Sequence, residues 1–355
     1  MQSELIHLNF LSLFSLICFF VFLIIQRYSS KTTFGYLLDK DFDKPQSFHK
    51  TSIPRSGGLA SFISLIIFFY FNYILFNKIY FDYFFLGSLI FLLGFFDDLK
   101  IKINPNLRLL LMAFIILFFI NLFSINIGKV DLIFLNNFLK NKYFLSIFIL
   151  LCFLFIINGS NLIDGFNGLL GINLLVINLS ILYINLNSTD QNFIIFLIAQ
   201  IIILTSFLIF NFPRAKIFLG DSGSYLFGAI TALNIIYSNN FNPEISSFYF
   251  CSLLFYLFFE VFFSFFRKIY QKKSPFKPDN LHLHMLVFKW INRTKKFTQS
   301  NYINSIIINL VYCILVSPLI FFRYDGLICK FWFFSLPAFY LLFYYYFYKK
   351  NKDEA

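Results

Sequence analysis

The sequence predicts an all-α polytopic integral membrane protein, on three observations. Of its 355 residues 59% are hydrophobic and only 13% charged, with a mean hydropathy of +0.74. A soluble domain of this size carries about twice that share of charge. Several runs reach about 18 apolar residues with few or no charges, the length that crosses a bilayer as a helix. The polar residues, finally, are concentrated in short segments between those runs.

Eleven apolar runs predict eleven helices, near 8–26, 58–76, 80–96, 107–124, 143–157, 168–187, 192–210, 223–237, 247–266, 303–322 and 327–348. The first lacks a basic start and a small-residue cleavage site, so it reads as a retained helix rather than a signal peptide. The second follows a turn from Pro54 to Gly58. The third stops on Asp97-Asp98. The fifth and eighth are the shortest, bounded by "NGSN" and "GDSG". Five cysteines, Cys18, Cys152, Cys251, Cys313 and Cys329, sit singly in apolar runs. With no CxxC spacing they read as packing residues, not a disulfide framework or zinc site.

Alternate connections differ in charge. One side carries 23 of the 29 lysines and arginines, which makes it cytoplasmic. The amino terminus is then outside and the carboxyl terminus inside. The net charge of +12 follows this topology, and no nucleic-acid partner is expected. The unusual polar clusters fall on the basic side, in loops 27–57, 97–108, 158–168, 211–222 and 267–302 of a single transmembrane domain spanning 1–355.

Each cluster has a chemical and a plain reading. Asp97-Asp98 can bind Mg²⁺ or act as a base, or be a solvated helix end neutralised by Lys100, Lys102 and Arg108. In "NGSNLIDGFNGLLG", Asn158, Asn161, Asp164 and Asn167 lie three apart, along one face of a helix. That stripe can hold a nucleotide or a metal, or be a polar break between spans. In "FPRAKIFLGDSGS", Asp221 opens a helix where anions and a phosphate-bound metal are favoured. Arg214 and Lys216 can neutralise phosphate and Phe218 can stack on a base; the plain alternative is an N-cap with glycine turns. His49 and Arg55 precede the second run. His282 and His284, at i and i+2, do not share a helix face, which argues against a two-histidine zinc helix and leaves ligand binding or lipid-headgroup contact. Glu260, inside the ninth run, is a functional hypothesis or a partner of Arg267.

The order of these clusters, PRxGGL, Asp-Asp, NxxNxxDGxNGL, FxGDxGSxxxG and a basic loop with HxH, resembles the polyprenyl-phosphate N-acetylhexosamine-1-phosphate transferases over roughly residues 40–290. The resemblance implies transfer of a sugar-1-phosphate from a UDP-N-acetylhexosamine to undecaprenyl phosphate, with release of UMP and dependence on Mg²⁺ (Mn²⁺ in its place). It implies a multi-pass protein of the bacterial inner membrane with its site facing the cytoplasm, the initiating step of an envelope polysaccharide, and a possible homodimer. It assigns Asp97, Asp98 and Asp164 to catalysis. Asp221, with Asp97, is assigned to the metal. His49, Arg55, Asn158, Asn161, Asn167, Arg214, Phe218, His282 and His284 are assigned to substrate. Direct attack and a covalent aspartyl route both remain open.

Three departures mark the chain. The first loop reads "DKPQSFH", without the longer segment and Arg-Lys pair of many members. Asn167 stands where some have aspartate, and "HLHM" replaces the His-rich tract of the phospho-MurNAc-pentapeptide enzymes. With eleven spans, these point to the UDP-HexNAc branch. The alternatives are the pentapeptide transferase of peptidoglycan synthesis and, from another class, a cation-coupled transporter. The transporter predicts polar residues at the bilayer midplane and repeat symmetry. A CDP-alcohol phosphotransferase needs a DxxDGxxAR run that is absent.

Overall fold

A computed structural model describes residues 2–31, 37–39, 52–101, 103–186, 190–275, 279–293 and 300–353. Fifteen helices follow in order among them: α1 (Gln2–Lys31), α2 (Gly57–Phe76), α3 (Phe81–Asp98), α4 (Pro105–Leu122), α5 (Ile133–Leu139), α6 (Lys142–Ile163), α7 (Leu169–Asn185), α8 (Gln191–Asn211), α9 (Gly220–Phe241), α10 (Ser247–Leu253), α11 (Phe255–Tyr270), α12 (Leu283–Arg293), α13 (Ser300–Val316), α14 (Leu319–Phe322) and α15 (Gly326–Asp353). The only strand pairing among these residues is a two-residue antiparallel contact, β1 (Leu38–Asp39) with β2 (Ile53–Pro54), in which Leu38 faces Pro54.

All eleven apolar runs are helical. Seven helical segments, one of them α13 together with α14, are long and apolar enough to cross a membrane, and an eighth crossing is formed if α10 and α11, bent by 70° at their junction, are taken together. The remaining three depart from the simple apolar pattern for visible reasons. Helix α3 carries Asp82, Asp97 and Asp98, α7 has 17 residues, and α9 is rich in Gly, Ser and Asn. The structure therefore establishes an all-α polytopic membrane architecture.

Helix α9 is the hub. It packs on α3, α6, α2 and α7 and has almost no exposed surface. Its polar residues meet partners in the interior. Asn234 Nδ2 donates to Gln200 Oε1 at 2.8 Å and Asn178 Oδ1 at 3.3 Å, while Tyr83 Oη donates to Asn234 Oδ1 at 2.8 Å. Buried amides are tolerated where they satisfy one another. This uncharged seam across α3, α7, α8 and α9 had no signature in the sequence.

The short runs 143–157 and 223–237 are longer than expected, 22 residues each in α6 and α9. Residues 158–163, expected as part of a loop, continue α6 because "NGS" is a close-packing surface. A Cβ on Gly159 would strike the Leu257 carbonyl of α11, and one on Gly228 of α9 would lie 2.9 Å from Ile157 Cα. Small residues let membrane helices approach without an apolar driving force. All five cysteines are free; Cys18 and Cys329 are buried packing residues, whereas Cys251 lies exposed.

Gly159→Leu should overpack this seam at a cost of about 1–3 kcal/mol or more. The expected outcome is a thermal midpoint several degrees lower in detergent, read by fluorescence-detected size exclusion after heating. An unchanged midpoint would show that α6 and α11 are not in close contact.

Candidate active site

Two backbone stitches bring the distant motifs together. Phe218 N donates to Pro54 O at 2.9 Å, and Gly57 N and Gly58 N donate to Phe218 O and Leu219 O at 2.8 Å each. The first amides of α2, which have no intrahelical acceptors, are thus satisfied by carbonyls of the FLGD segment. The "PRSGG" and "FLGDSG" motifs become one surface.

The Asp97-Asp98 pair divides its roles. Asp98 is fully buried, and its two oxygens accept from Asp221 N at 3.0 Å and Ser222 N at 2.9 Å. It is the acidic cap of α9, supplied by another helix, where the dipole favours a negative charge. Gly220, just before these amides, has φ +77°, and a Cβ there would sit 2.7 Å from both Asp98 oxygens. Only glycine fits that left-handed, crowded position. Asp97, on the other face, remains 24% exposed.

Asp221 is oriented from two sides. Asn161 Nδ2 donates to its Oδ1 at 3.0 Å and to Ser224 Oγ at 3.2 Å. Arg108 Nη1, from the first turn of α4, donates to Asp221 Oδ2 at 3.3 Å and makes a close ion pair with Asp97 Oδ2. Arg108 also lies over the Tyr225 ring, 5.6 Å from its centroid, and the Tyr225 hydroxyl is buried with no hydrogen-bond partner among the described residues. Arg55 Nη1 approaches Asp98 Oδ1 at 4.0 Å. Arg108 appeared in the sequence only as a neutralising charge, and Tyr225 not at all. The lone signal for either was position, Arg108 opening a span beside the acidic pair and Tyr225 one turn after Asp221.

Asp164 caps the end of α6. Burial, reinforced by Asp221, holds its carboxyl well above the usual carboxylate range, against the opposing pull of Arg55. Asp98 and the Gly220 backbone are further neighbours, so Asp164 faces the same cluster.

Other expected residues are placed elsewhere. Asn158 Nδ2 bonds to the Leu154 carbonyl of its own helix at 2.7 Å. Asn167 braces the α6–α7 turn, its Nδ2 donating to Pro213 O at 3.0 Å and its N–H to Asn301 Oδ1 at 2.8 Å. Arg214 is exposed, and Phe218 is half-buried with its backbone in the stitch described. His282 and His284 lie across the α11–α12 connection, and His284 reaches the α6–α7 turn through an edge contact with Phe166, centroids 5.8 Å apart. Their rings nevertheless stack, 5.6 Å apart and within 3° of parallel. They can do so because His282 precedes α12 rather than lying on it, so the two histidines do not share a helix. Glu260 pairs with His282 at 3.0 Å, not with Arg267, whose partner is Asp279 at 2.8 Å. His49 lies outside the described residues.

For a divalent cation, Asp97 and Asp221 are suitable. Both are hard oxygen donors, and both already converge on one cationic nitrogen. Among the described residues no three His, Cys, Asp or Glu side chains form a metal-binding group. Two carboxylates completed by substrate phosphates is the usual way Mg²⁺ is held.

The fold and site together define a polytopic membrane protein with a carboxylate cluster at one end of its helix bundle. Residues 80–239, which include Asp97, Asp98, Asn161, Asp164 and Asp221, match glycosyl transferase family 4. An undecaprenyl-phosphate alpha-N-acetylglucosaminyl 1-phosphate transferase of Thermotoga maritima is 30% identical over 326 residues, 91% of each chain. Phospho-N-acetylmuramoyl-pentapeptide-transferases are also similar. That of Dictyoglomus turgidum is 28% identical over 64% of this chain and 75% of its own. That of Petrotoga mobilis is 27% identical over 76% of this chain and 87% of its own. The chain belongs to glycosyl transferase family 4.

Two outcomes follow from this geometry. Asp98→Ala leaves two buried amides without an acceptor, at about 1–3 kcal/mol each, whereas Asp97→Ala removes a part-exposed group. Thermal unfolding should fall markedly for the first and little for the second; equal losses would contradict the division of roles. Asp164 has a raised folded-state pKa, so its ionisation disfavours the fold as pH rises above the ordinary carboxylate range. Asp164→Asn should therefore gain stability relative to the parent as pH is raised from 5 to 8.5, and a difference independent of pH would contradict the assignment.

Proposed function

We propose that this transferase moves an N-acetylhexosamine-1-phosphate from a UDP-sugar to undecaprenyl phosphate and releases UMP, as the initiating step of an envelope polysaccharide. The observation that carries the reading is the convergence of Asp97, Asp98, Asp164 and Asp221, with Arg108 and Asn161, at one end of the helix bundle. The end-to-end similarity to the Thermotoga protein favours N-acetylglucosamine as the sugar. The pentapeptide transferases match over less of the chain and supply the second reading.

We further propose that α3, α7 and α9 cross the membrane beside the eight apolar crossings, giving eleven spans. Their polar groups face one another inside the bundle rather than lipid. The excess of basic residues on one side, 23 of 29 lysines and arginines, supports a site at the cytoplasmic face of the bacterial inner membrane. There a lipid-tethered phosphate and a soluble nucleotide sugar can meet.

In this reaction an oxygen of the acceptor phosphate attacks the donor's β-phosphorus, and the bond from that phosphorus to the bridging oxygen breaks as UMP departs. Asp97 and Asp221 would hold a Mg²⁺ ion, which when bound neutralises charge developing on the pyrophosphate. Asp97, the less encumbered of the pair, orients the acceptor phosphate and takes its proton. Asn161 fixes one Asp221 oxygen, and Asp98 fixes the backbone that carries it. Arg108 offers positive charge to whichever phosphate displaces it from the carboxylates. Asp164, facing the same cluster, is available to hydrogen-bond the nucleotide.

The test is transfer of label from UDP-[¹⁴C]GlcNAc to undecaprenyl phosphate by purified protein in Mg²⁺, with UMP measured alongside. Label should enter the lipid extract, and Asp97→Asn, Asp221→Asn and Arg108→Ala should each lower the rate by about a hundredfold or more. Labelling from UDP-MurNAc-pentapeptide alone would establish the second reading instead.

A further inference from the structure

A cavity of about 800 Å³ lies at the other end of the bundle from the aspartate cluster. That volume is within the range of small-molecule sites. Its walls come from residues 129–136, between α4 and α6, and from the turn joining α14 to α15. Helices α4, α6 and α9 carry Arg108, Asn161 and Asp221 near one end. The chain beyond the far ends of α4 and α9 reaches the cavity, where Lys129 Nζ donates to Pro243 O at 3.0 Å.

The lining carries both signs of charge. Asp131 is fully engaged, its Oδ2 accepting from Ser247 N at 2.9 Å and its Oδ1 lying 3.3 Å from Lys129 Nζ. Two charges are left over. Lys330, one turn into α15, meets no hydrogen-bond or ion-pair partner among the described residues. Asp325 caps α15 with Oδ1 alone, which accepts from Leu327 N and Ile328 N at 3.0 Å each. Its Oδ2 has no donor among the described residues. The cavity thus offers one ammonium and one carboxylate oxygen to a single occupant. An occupant bearing both a phosphate and a primary ammonium complements them.

Around these charges the lining is apolar and uncovered. Ile133 is 85% exposed, Phe321 80% and Leu327 68%. Phe134 and Phe138 prolong the strip along α5. The other face of α5 is fixed to the protein. Asn136 accepts from Val130 N at 3.0 Å and donates to Val130 O at 2.7 Å, and Leu139 is buried. A short helix with one face anchored and one apolar face free suits the membrane interface. A ligand seated here touches charge and hydrocarbon together, which favours an amphiphile over a free anion.

We infer that this cavity binds a phospholipid with an ethanolamine headgroup, its phosphate on Lys330, its ammonium on Asp325 Oδ2 and its chains along Ile133, Phe321 and Leu327. On the orientation proposed above, this is a lipid of the outer leaflet. The charge pair is selective. A glycerol headgroup brings no cation to Asp325, and a choline headgroup has no N–H to donate to it. The bound lipid bridges α5 and α15 and stabilises the folded chain by mass action. The site stands independently of the transferase reading.

The experiment places the full chain in nanodiscs of phosphatidylcholine alone, with phosphatidylethanolamine added, or with phosphatidylglycerol added. The readouts are the thermal midpoint and native mass spectrometry of retained lipid. The wild type should retain phosphatidylethanolamine in preference to the other two and unfold several degrees higher with it. Lys330→Gln should lower that retention about tenfold or more, as loss of a charge-assisted hydrogen bond does. Asp325→Asn keeps an oxygen to cap α15 and should retain phosphatidylethanolamine and phosphatidylcholine alike. Soluble phosphoethanolamine should leave the midpoint unmoved. A wild-type midpoint equal in all three compositions would overturn the inference without recourse to any variant. Phosphatidylglycerol acting as well as phosphatidylethanolamine would overturn the headgroup, and a rise with soluble phosphoethanolamine would overturn the lipid. Retention undiminished in Lys330→Gln would show adventitious boundary lipid only, and would overturn the site.

Discussion

The site depends on one interaction, the Asp98 carboxylate accepting the Asp221 and Ser222 amides at the start of α9. It joins the carboxyl end of α3 to the amino end of α9, and the two helices pack more extensively than any other pair. A carboxylate at the end of its own helix opposes that helix's dipole. The same charge at the start of α9 meets a favourable one. The unfavourable placement on α3 is thereby offset by a cap on the helix that carries Asp221. Gly220, with positive φ and no room for a Cβ, allows the approach.

From that joint the rest of the site follows. Asp221 is held where Asn161 of α6 and Arg108 of α4 can reach it, and Asp97 meets the same arginine. The backbone stitch between residues 54–58 and 218–219 adds α2 to the assembly. Four helix ends thus present carboxylates, the Arg108 guanidinium and the Asn161 amide to a common point, and a fifth, that of α2, is stitched beside them. The interior seam of Asn178, Gln200, Asn234 and Tyr83 keeps α9 in register well away from that point. One helix can therefore serve both as structural hub and as bearer of a reactive residue.

The positions of the helices were legible because hydropathy alone decides where a chain enters lipid. Each of the eleven runs is helical, two of them as the broken pairs α10–α11 and α13–α14. What hydropathy could not reveal was how far α6 and α9 extend, since their polar ends continue as helix only because other helices press on Gly159 and Gly228. The order of the motifs brought out Asp97, Asp98, Asp164, Asn161 and Asp221. It did not separate Asp98 as a cap from Asp97 as an exposed group, because that distinction lies in which amides Asp98 meets across 123 residues. Asn158 and Asn167 looked equivalent to Asn161 by spacing, yet helix geometry turns one to its own backbone and the α6–α7 turn takes the other. Arg108 was obscured by the surplus of basic residues on its side. Pairing of Glu260 with Arg267 was a reasonable expectation from sequence distance, and it failed because the chain reverses after α11 and returns His282 to the acid.

The central claim is that Asp97 and Asp221, carried by different helices, constitute one cation site. Electron paramagnetic resonance of Mn²⁺ titrated into purified protein with UMP present addresses it without reference to turnover. Binding should be saturable in the wild type and lost in both Asp97→Asn and Asp221→Asn, with the double variant no worse than either. Undiminished Mn²⁺ binding in either single variant would contradict the account.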